Sequence, residues 1–140
     1  MKFSVRTLSL LIAAVCLIVF LADRLVLEPL ETRKTIADER MSLRRRGFVS
    51  EVVKPGRVEW IELTKPLLDY SKDDLCILQD YQSIGTIVLD SQETVQGIDR
   101  LAIFQFRCVI DLSLTDIEHE TIPGLAERFP QFKFSHKKQE

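Results

Sequence analysis

The chain has 140 residues, of which 46% are hydrophobic and 29% charged, so it is long enough for one globular domain and an accessory segment. A net charge of −2, with one Trp and two Tyr, provides neither the positive field nor the stacking surface that nucleic-acid binding requires, and we expect no nucleic-acid partner. The odd number of cysteines, three, argues against a disulfide framework, and we expect free and mostly buried thiols.

The first predicted element is a membrane anchor over residues 1–27. Its uncharged part runs from Leu8 to Ala22, and the segment from Val5 to Leu27 is long enough for a full span. Phe20 makes a poor cleavage site before residue 23, which favours an uncleaved signal-anchor over a removed signal peptide. Cations follow the span as well as precede it, but we expect the N-terminus inside and the bulk of the protein in the periplasm or outside the cell.

A polar linker helix is predicted over residues 28–47, because Pro29 suits a first helical turn and Gly47 suits a left-handed helix end. Its apolar stripe is thin, which predicts a helix outside the core. The β-branched and aromatic residues 48–53 then predict a strand, and Lys54-Pro55-Gly56 predicts a type II turn after it. We expect this strand to cap the following units, which with it form one domain over residues 48–140.

A spaced hydrophobic pair returns four times in the second half of the chain. The pairs are Ile61 and Leu63, Ile87 and Leu89, Leu112 and Leu114, and Phe132 and Phe134. Their first members are 26, 25 and 20 positions apart, as expected for stacked units with a shorter last member. The repeats are predicted at about 58–83, 84–108 and 109–131, with a terminal strand at 132–134. The predicted architecture is a small α/β solenoid with a short parallel sheet.

Each predicted strand is followed by a helical segment whose apolar residues are three or four positions apart, which predicts inward side chains behind the sheet. These residues are Leu75, Leu78 and Tyr81 in the first unit, Ile98, Leu101 and Phe104 in the second, and Ile122, Leu125 and Phe129 in the third. One such unit cannot bury its apolar face alone, so the units must stack.

The pattern Leu-x-x-Leu-x-Leu, a polar loop and then Asp74-Leu75, Gly97-Ile98 or Gly124-Leu125 resembles leucine-rich repeats. The start Phe3-Ser-Val-Arg-Thr-Leu8 and the closing segment from Arg128 to Phe134 are similar to those of the short membrane-anchored leucine-rich repeat proteins of planctomycete bacteria. The asparagine of the common repeat is absent here. The resemblance implies an interaction module without naming its partner.

In a curved parallel sheet, the residues beside the inward positions point to the open concave face. Seven of them are the candidate protein-binding residues: Trp60, Glu62, Thr86, Val88, Asp90, Asp111 and Ser113. We expect Trp60, Thr86 and Asp111 to form one column, and Glu62, Val88 and Ser113 to form the next. An aromatic residue among carboxylates suits a polar or cationic partner, with Trp60 as the anchor. The other interpretation is that Trp60 packs on the capping strand and the remaining side chains are merely solvated.

No cofactor and no catalytic site are predicted. Asp116, Glu118 and His119 form a polar cluster, but no second histidine follows at helical spacing, so metal-dependent catalysis is the least favoured function. The leading hypothesis is a membrane-anchored module that binds a protein or an envelope polymer. The alternative is a compact βαβ regulatory domain with a mixed sheet on the cytoplasmic side. The sequence does not indicate the oligomeric state.

Overall fold

The structure, a computed structural model, describes residues 5–136, without the side chain of Arg6. The chain divides between Thr35 and Ile36 into two compact units. Lys2, Phe3 and Ser4, on which the predicted orientation and part of the start motif depend, lie outside the described residues. Residues 137–140, the end of the predicted repeat domain, do so as well.

The first unit is helical. Helix α1 spans Val5–Ala22, a π-helical segment spans Asp23–Leu27, and α2, Glu28–Arg45, begins in this unit and ends in the second. Within the described part of the chain, one helical stretch, Thr7–Arg45, contains an 18-residue window apolar and long enough to cross a membrane, and none of that window is buried. The predicted long apolar N-terminal helix is therefore present, and by length and composition it is a candidate membrane span.

A five-stranded sheet forms the centre of the second unit, with its strands in the order β1-β2-β3-β4-β5. The strands are β1 (Phe48–Lys54), β2 (Arg57–Leu63), β3 (Ser83–Val88), β4 (Cys108–Asp111) and β5 (Phe132–Ser135). Strands β2 to β5 are parallel, whereas β1 is antiparallel to β2. The predicted capping strand is thus a full member of the sheet, and the sheet is mixed instead of wholly parallel. The α/β fold class is confirmed in this form.

Gly56 allows the turn that joins β1 to β2. Its φ of +71° is the left-handed conformation that the third position of a type II turn requires, and glycine adopts it without steric cost. The predicted Pro-Gly turn is therefore present in the structure.

Short helical segments connect the parallel strands. They are the α-helices α3 (Lys72–Cys76), α4 (Val95–Ile98) and α5 (Ile122–Arg128), and the 3₁₀ segments Leu67–Asp69, Ile77–Asp80, Asp99–Ile103 and His119–Thr121. Two of the α-helices begin at capping side chains. The Ser71 hydroxyl accepts a hydrogen bond from the Asp74 amide, and the Thr94 hydroxyl accepts one from the Gly97 amide.

The core lies between one face of the sheet and these helical segments. Ile61, Ile87 and Ile110 are in register on three neighbouring strands and are completely buried. The helical residues predicted to point inward do so. Six of the nine are less than 2% exposed, and Phe129 is 6% exposed. Tyr81 and Ile122 are partly buried against the same core.

The third predicted repeat, at about residues 109–131, has a different register from the predicted one. Leu112 and Leu114 are the predicted inward pair, but the buried residues are Cys108, Ile110 and Leu112, and Leu114 is 51% exposed. Ile110 pairs with Ile87 on one side and with Phe134 on the other, so corresponding positions are 26, 23 and 24 residues apart. The prediction of a shorter last repeat was wrong because it aligned Leu112 with Ile87, whereas Leu112 corresponds to Leu89.

The last turns of α2 belong to the core, which corrects the prediction of a helix outside it. Leu43 is completely buried and Ile36 packs against the core. The helix ends before Gly47, whose φ of +88° confirms the predicted left-handed conformation. The Gly47 carbonyl then accepts hydrogen bonds from the hydroxyls of Thr64 (2.7 Å) and Tyr70 (2.5 Å), which tie the helix end to the first parallel unit.

Candidate functional site

The outward side chains of the five strands form a surface that we call the open face. Two rows cross it from β1 to β5, because the register pairs their members strand by strand. The tryptophan row is Glu51, Trp60, Thr86, Val109 and Lys133, and the carboxylate row is Val49, Glu62, Val88, Asp111 and Ser135. All ten side chains are exposed or half-buried. The open face is therefore accessible over the full width of the sheet.

Trp60 is held in place by the first strand. Its indole Nε1 donates a hydrogen bond of 2.9 Å to Oε2 of Glu51, the residue opposite it on β1. This contact fixes the ring edge, as expected for an aromatic residue with one polar atom. Because the residue stays half-buried, part of the ring remains available on the open face. Trp60 therefore contacts the capping strand and also faces solvent.

Five of the seven candidate binding residues lie together in the two rows. Trp60 and Thr86 are neighbours in the tryptophan row, and Glu62, Val88 and Asp111 are neighbours in the carboxylate row. The prediction that Asp111 aligns with Trp60 and Thr86 is wrong, because the true register of β4 shifts it to the carboxylate row.

The remaining candidates, Asp90 and Ser113, lie in the turns after β3 and β4. The Asp90 carboxylate accepts a hydrogen bond of 2.8 Å from the Gln92 amide, and the Asp111 carboxylate accepts one of 2.9 Å from the Ser113 amide. These contacts are local turn-forming bonds typical of aspartate. Asp90 and Asp111 therefore also have a structural role, which the sequence analysis did not assign. Thr115, in the turn after β4, is buried and donates its hydroxyl hydrogen to the Leu112 carbonyl.

Val49 and Glu51 on β1 and Val109 on β4 belong to the open face but are not among the residues predicted from the sequence. The signal for the first two was present, because an inward Phe48 and Val52 require outward residues at odd positions between them. Val109 falls on the first inward position of the pattern Leu-x-x-Leu-x-Leu when Leu112 and Leu114 are taken as its last two, and only the structural register places it on the open face. With these residues, the open face includes three valines among its carboxylates.

The charges on the open face are unevenly distributed. Glu51, Glu62 and Asp111 lie on β1, β2 and β4, and Lys133 lies on β5 at the far edge. Carboxylates next to a partly exposed tryptophan and valines suit a partner that brings cationic and apolar groups together. Such complementarity affects specificity and association rate more than affinity.

Glu93 and Cys108 are buried titratable groups that do not lie on the open face. The Glu93 carboxylate is 5% exposed and accepts hydrogen bonds from the amides of Leu67 (2.7 Å) and Thr94 (3.1 Å). Burial raises the pKa of Glu93 above its ordinary value, and the nearby charges of Asp90 and Asp69 act in the same direction. Burial also raises the pKa of the Cys108 thiol to about 12, so this thiol is not a reactive nucleophile. All three cysteines are free, as predicted, but the expectation that most are buried is wrong, because Cys16 is exposed and Cys76 is half-buried.

The structure brings a second histidine to the Asp116 cluster. The ring centroids of His119 and His136 are 5.5 Å apart, and both rings line a recess of about 250 Å³ with Asp116 and Glu118. Among residues 5–136, however, no group of three or more His, Cys, Asp or Glu side chains is arranged to hold a metal ion. The geometry thus brings the two histidines together but does not assemble a metal site from them.

Comparison with known proteins gives no relative for this chain: no protein-family model, no curated protein and no solved structure matches it.

Proposed function

We propose that this chain is a membrane-anchored interaction module of leucine-rich-repeat-like units, which binds a protein or an envelope polymer through the open face of its sheet. The observation that carries the proposal is the pair of side-chain rows that cross five strands without a buried member. A face of this width with an aromatic residue and carboxylates is typical of a binding surface.

The repeat type is supported by the inner face of the sheet. Val58, Ile61 and Leu63 are buried in the first unit, at the spacing Leu-x-x-Leu-x-Leu. Ile84, Ile87 and Leu89 are buried at the same spacing in the second. Consecutive units add neighbouring parallel strands, and corresponding residues are 26, 23 and 24 positions apart, within the usual range for leucine-rich repeats. The third unit departs from the motif because it buries Cys108, Ile110 and Leu112.

The proposed partner has a basic and partly apolar segment that lies along the two rows. Glu51, Glu62 and Asp111 would contact its cations, and the Trp60 ring would supply the main apolar contact. The candidate residues Thr86, Val88, Asp90 and Ser113 would line the same contact or its rim.

Site-specific photo-cross-linking of the full-length chain in its native membranes tests this proposal. A cross-linking amino acid in place of Val88 lies on the open face, and one in place of Ala102 lies on the exposed helical side. We expect an adduct from position 88 alone, and we expect Glu62→Lys to abolish it while Glu127→Lys, the same charge change on α5, leaves it unchanged. Equal adducts from both positions, or an adduct indifferent to Glu62→Lys, would refute the proposal.

For the membrane arrangement, we propose an uncleaved N-terminal span with the sheet unit outside the cytoplasm. The exposed apolar stretch within Thr7–Arg45 supports the span. The second candidate function, a cytoplasmic βαβ regulatory domain, is supported by the antiparallel β1, which makes the sheet mixed. Protease added to intact spheroplasts separates the two: digestion of the sheet unit supports the first arrangement, and protection supports the second.

A further inference from the structure

Two arginines and one serine converge at the edge of the sheet. Arg40 and Arg44 line a recess of about 410 Å³ together with Phe48, Val49 and Ser50 of β1. The two arginines are one turn apart on α2, so their side chains lie on the same side of the helix. The recess therefore combines two guanidinium groups, a hydroxyl and an apolar wall.

Neither arginine of this recess forms an ion pair with another described residue. The described residues form two ion pairs, Arg46 with Asp74 and Arg128 with Asp99, and neither includes Arg40 or Arg44. Two nearby acids have other partners, because Glu39 accepts the Gly56 amide and Glu51 accepts the Trp60 indole. Like charges four residues apart on a helix repel each other, and a bound anion would remove this repulsion.

Ser50 is a second and independent indication of a ligand. It lies opposite the completely buried Ile61 and thus on the inner face of β1. Its hydroxyl oxygen is inaccessible to solvent and has no hydrogen-bond partner among residues 5–136. A buried polar group without a partner is destabilising, so such groups are rare unless a ligand or water satisfies them.

Arg40 is already oriented for binding. Its Nη2 donates a hydrogen bond of 3.0 Å to the Val52 carbonyl, which fixes the guanidinium over the strand and leaves its other N–H groups available. Arginine binds phosphate through paired hydrogen bonds, and a phosphate group has enough oxygens to contact both arginines together. Rotation of the Ser50 side chain would bring its buried hydroxyl to the same group.

We propose that this recess, formed by Arg40, Arg44 and Ser50, binds a phosphate group. Phe48 and Val49 would contact the apolar part of a phosphate ester. The group comes either from the headgroup of an anionic phospholipid or from a free phosphate compound. The three proposed ligand residues do not belong to the open face, because Arg40 and Arg44 lie on α2 and Ser50 lies on the inner side of β1. Of the residues that line the recess, Val49 alone is also part of the open face.

Thermal unfolding of the full-length chain in neutral detergent micelles tests the proposal. One series adds inorganic phosphate, and another adds phosphatidylglycerol to the micelles, with phosphatidylcholine as the uncharged counterpart. We expect a higher unfolding midpoint with inorganic phosphate if the ligand is free, and with phosphatidylglycerol alone if it is a headgroup. An unchanged midpoint in both series would overturn the proposal.

Matched variants separate a site from a general charge effect. Arg44→Gln should weaken the titrated affinity about tenfold, since it removes charge-assisted hydrogen bonds. Arg45→Gln, the same change at the next and equally exposed position, should leave the affinity unchanged. Ser50→Ala should raise the midpoint of the free protein while it reduces the response to the ligand. Equal losses in Arg44→Gln and Arg45→Gln would also overturn the proposal.

Discussion

On the inner face of the sheet, Ile61, Ile87 and Ile110 line up across three strands and are completely buried, whereas on the outer face Trp60, Thr86 and Val109 line up in the same way and remain partly exposed. The inner and the outer side chains belong to the same strands, but only the inner ones determine the register. A shift by one residue would turn every inner side chain outward, and burial prevents it. The outer row is therefore free to carry charged and aromatic residues.

The strongest test of this comparison places a charge on the inner face. Leu89→Asp puts an unpaired carboxylate at a completely buried position, and we expect it to cost at least about 4 kcal/mol. That is most of the stability of a small domain, so the sheet unit should unfold. Circular dichroism and limited proteolysis of the full-length chain in detergent would measure it.

The matched control is the same substitution on the outer face. Val109→Asp lies next to Lys133 in the tryptophan row and should cost about 1 kcal/mol or less. If the two aspartates were equally damaging, or equally harmless, the assignment of inner and outer faces would be wrong.

A second test concerns Gly85 on β3, a position that has no room for a side chain. A Cβ at Gly85 would lie 2.5 Å from the carbonyl oxygen of Glu59 on the neighbouring strand, so Gly85→Ala should destabilise the unit by about 1–3 kcal/mol. Gly124, within α5, has nothing within 4 Å of the same added atom. There, alanine should stabilise the helix by up to about 1 kcal/mol. Chemical denaturation of both variants gives the comparison, and a destabilised Gly124→Ala with an unaffected Gly85→Ala would contradict it.

The sequence was sufficient to predict the inner face of the first two units, because Val58, Ile61 and Leu63 repeat as Ile84, Ile87 and Leu89 with identical spacing. It was insufficient in the third unit, where Val109, Ile110, Leu112 and Leu114 permit two registers. Only pairing with Ile87 on one side and Phe134 on the other selects between them. Local pattern is ambiguous wherever apolar residues occupy adjacent positions.

Long-range contacts explain the other differences. The Trp60 to Glu51 bond crosses a hairpin, and the approach of His119 to His136 joins positions 17 residues apart. Neither follows from a local period. The burial of Leu43 was missed because the end of α2 has few apolar residues, and a single leucine gives no stripe.

A third test uses pH to examine a carboxylate behind the sheet. Burial raises the pKa of Glu93 in the folded state above 4.5, so the folded protein holds this proton more tightly than the unfolded chain. The protonated Glu93 side chain makes a stabilising contribution below about pH 4.5. This contribution is lost as the pH rises through the folded-state pKa of Glu93. Relative to Glu93→Gln, the wild-type chain should therefore lose stability as the pH rises from about 4.5 through the folded-state pKa of Glu93.

Denaturation at several pH values would measure this difference. Glu127→Gln, an exposed change on α5, is the control and should parallel the wild type. A difference between wild type and Glu93→Gln that does not change with pH would show that the Glu93 carboxyl is not perturbed by burial.

The smallest expected effect concerns Trp60 itself. Trp60→Phe keeps an aromatic ring on the outer face but removes the N–H that Glu51 accepts, and a partly exposed hydrogen bond of this kind contributes about 1 kcal/mol or less. A double-mutant cycle with Glu51→Ala, measured by chemical denaturation, isolates that contribution. A coupling above about 2 kcal/mol would mean that Trp60 is part of the folding core. A small coupling, together with loss of the cross-linked adduct in Trp60→Phe, would instead show that the ring is needed for contact with a partner, because the inner face alone would then account for the stability of the sheet.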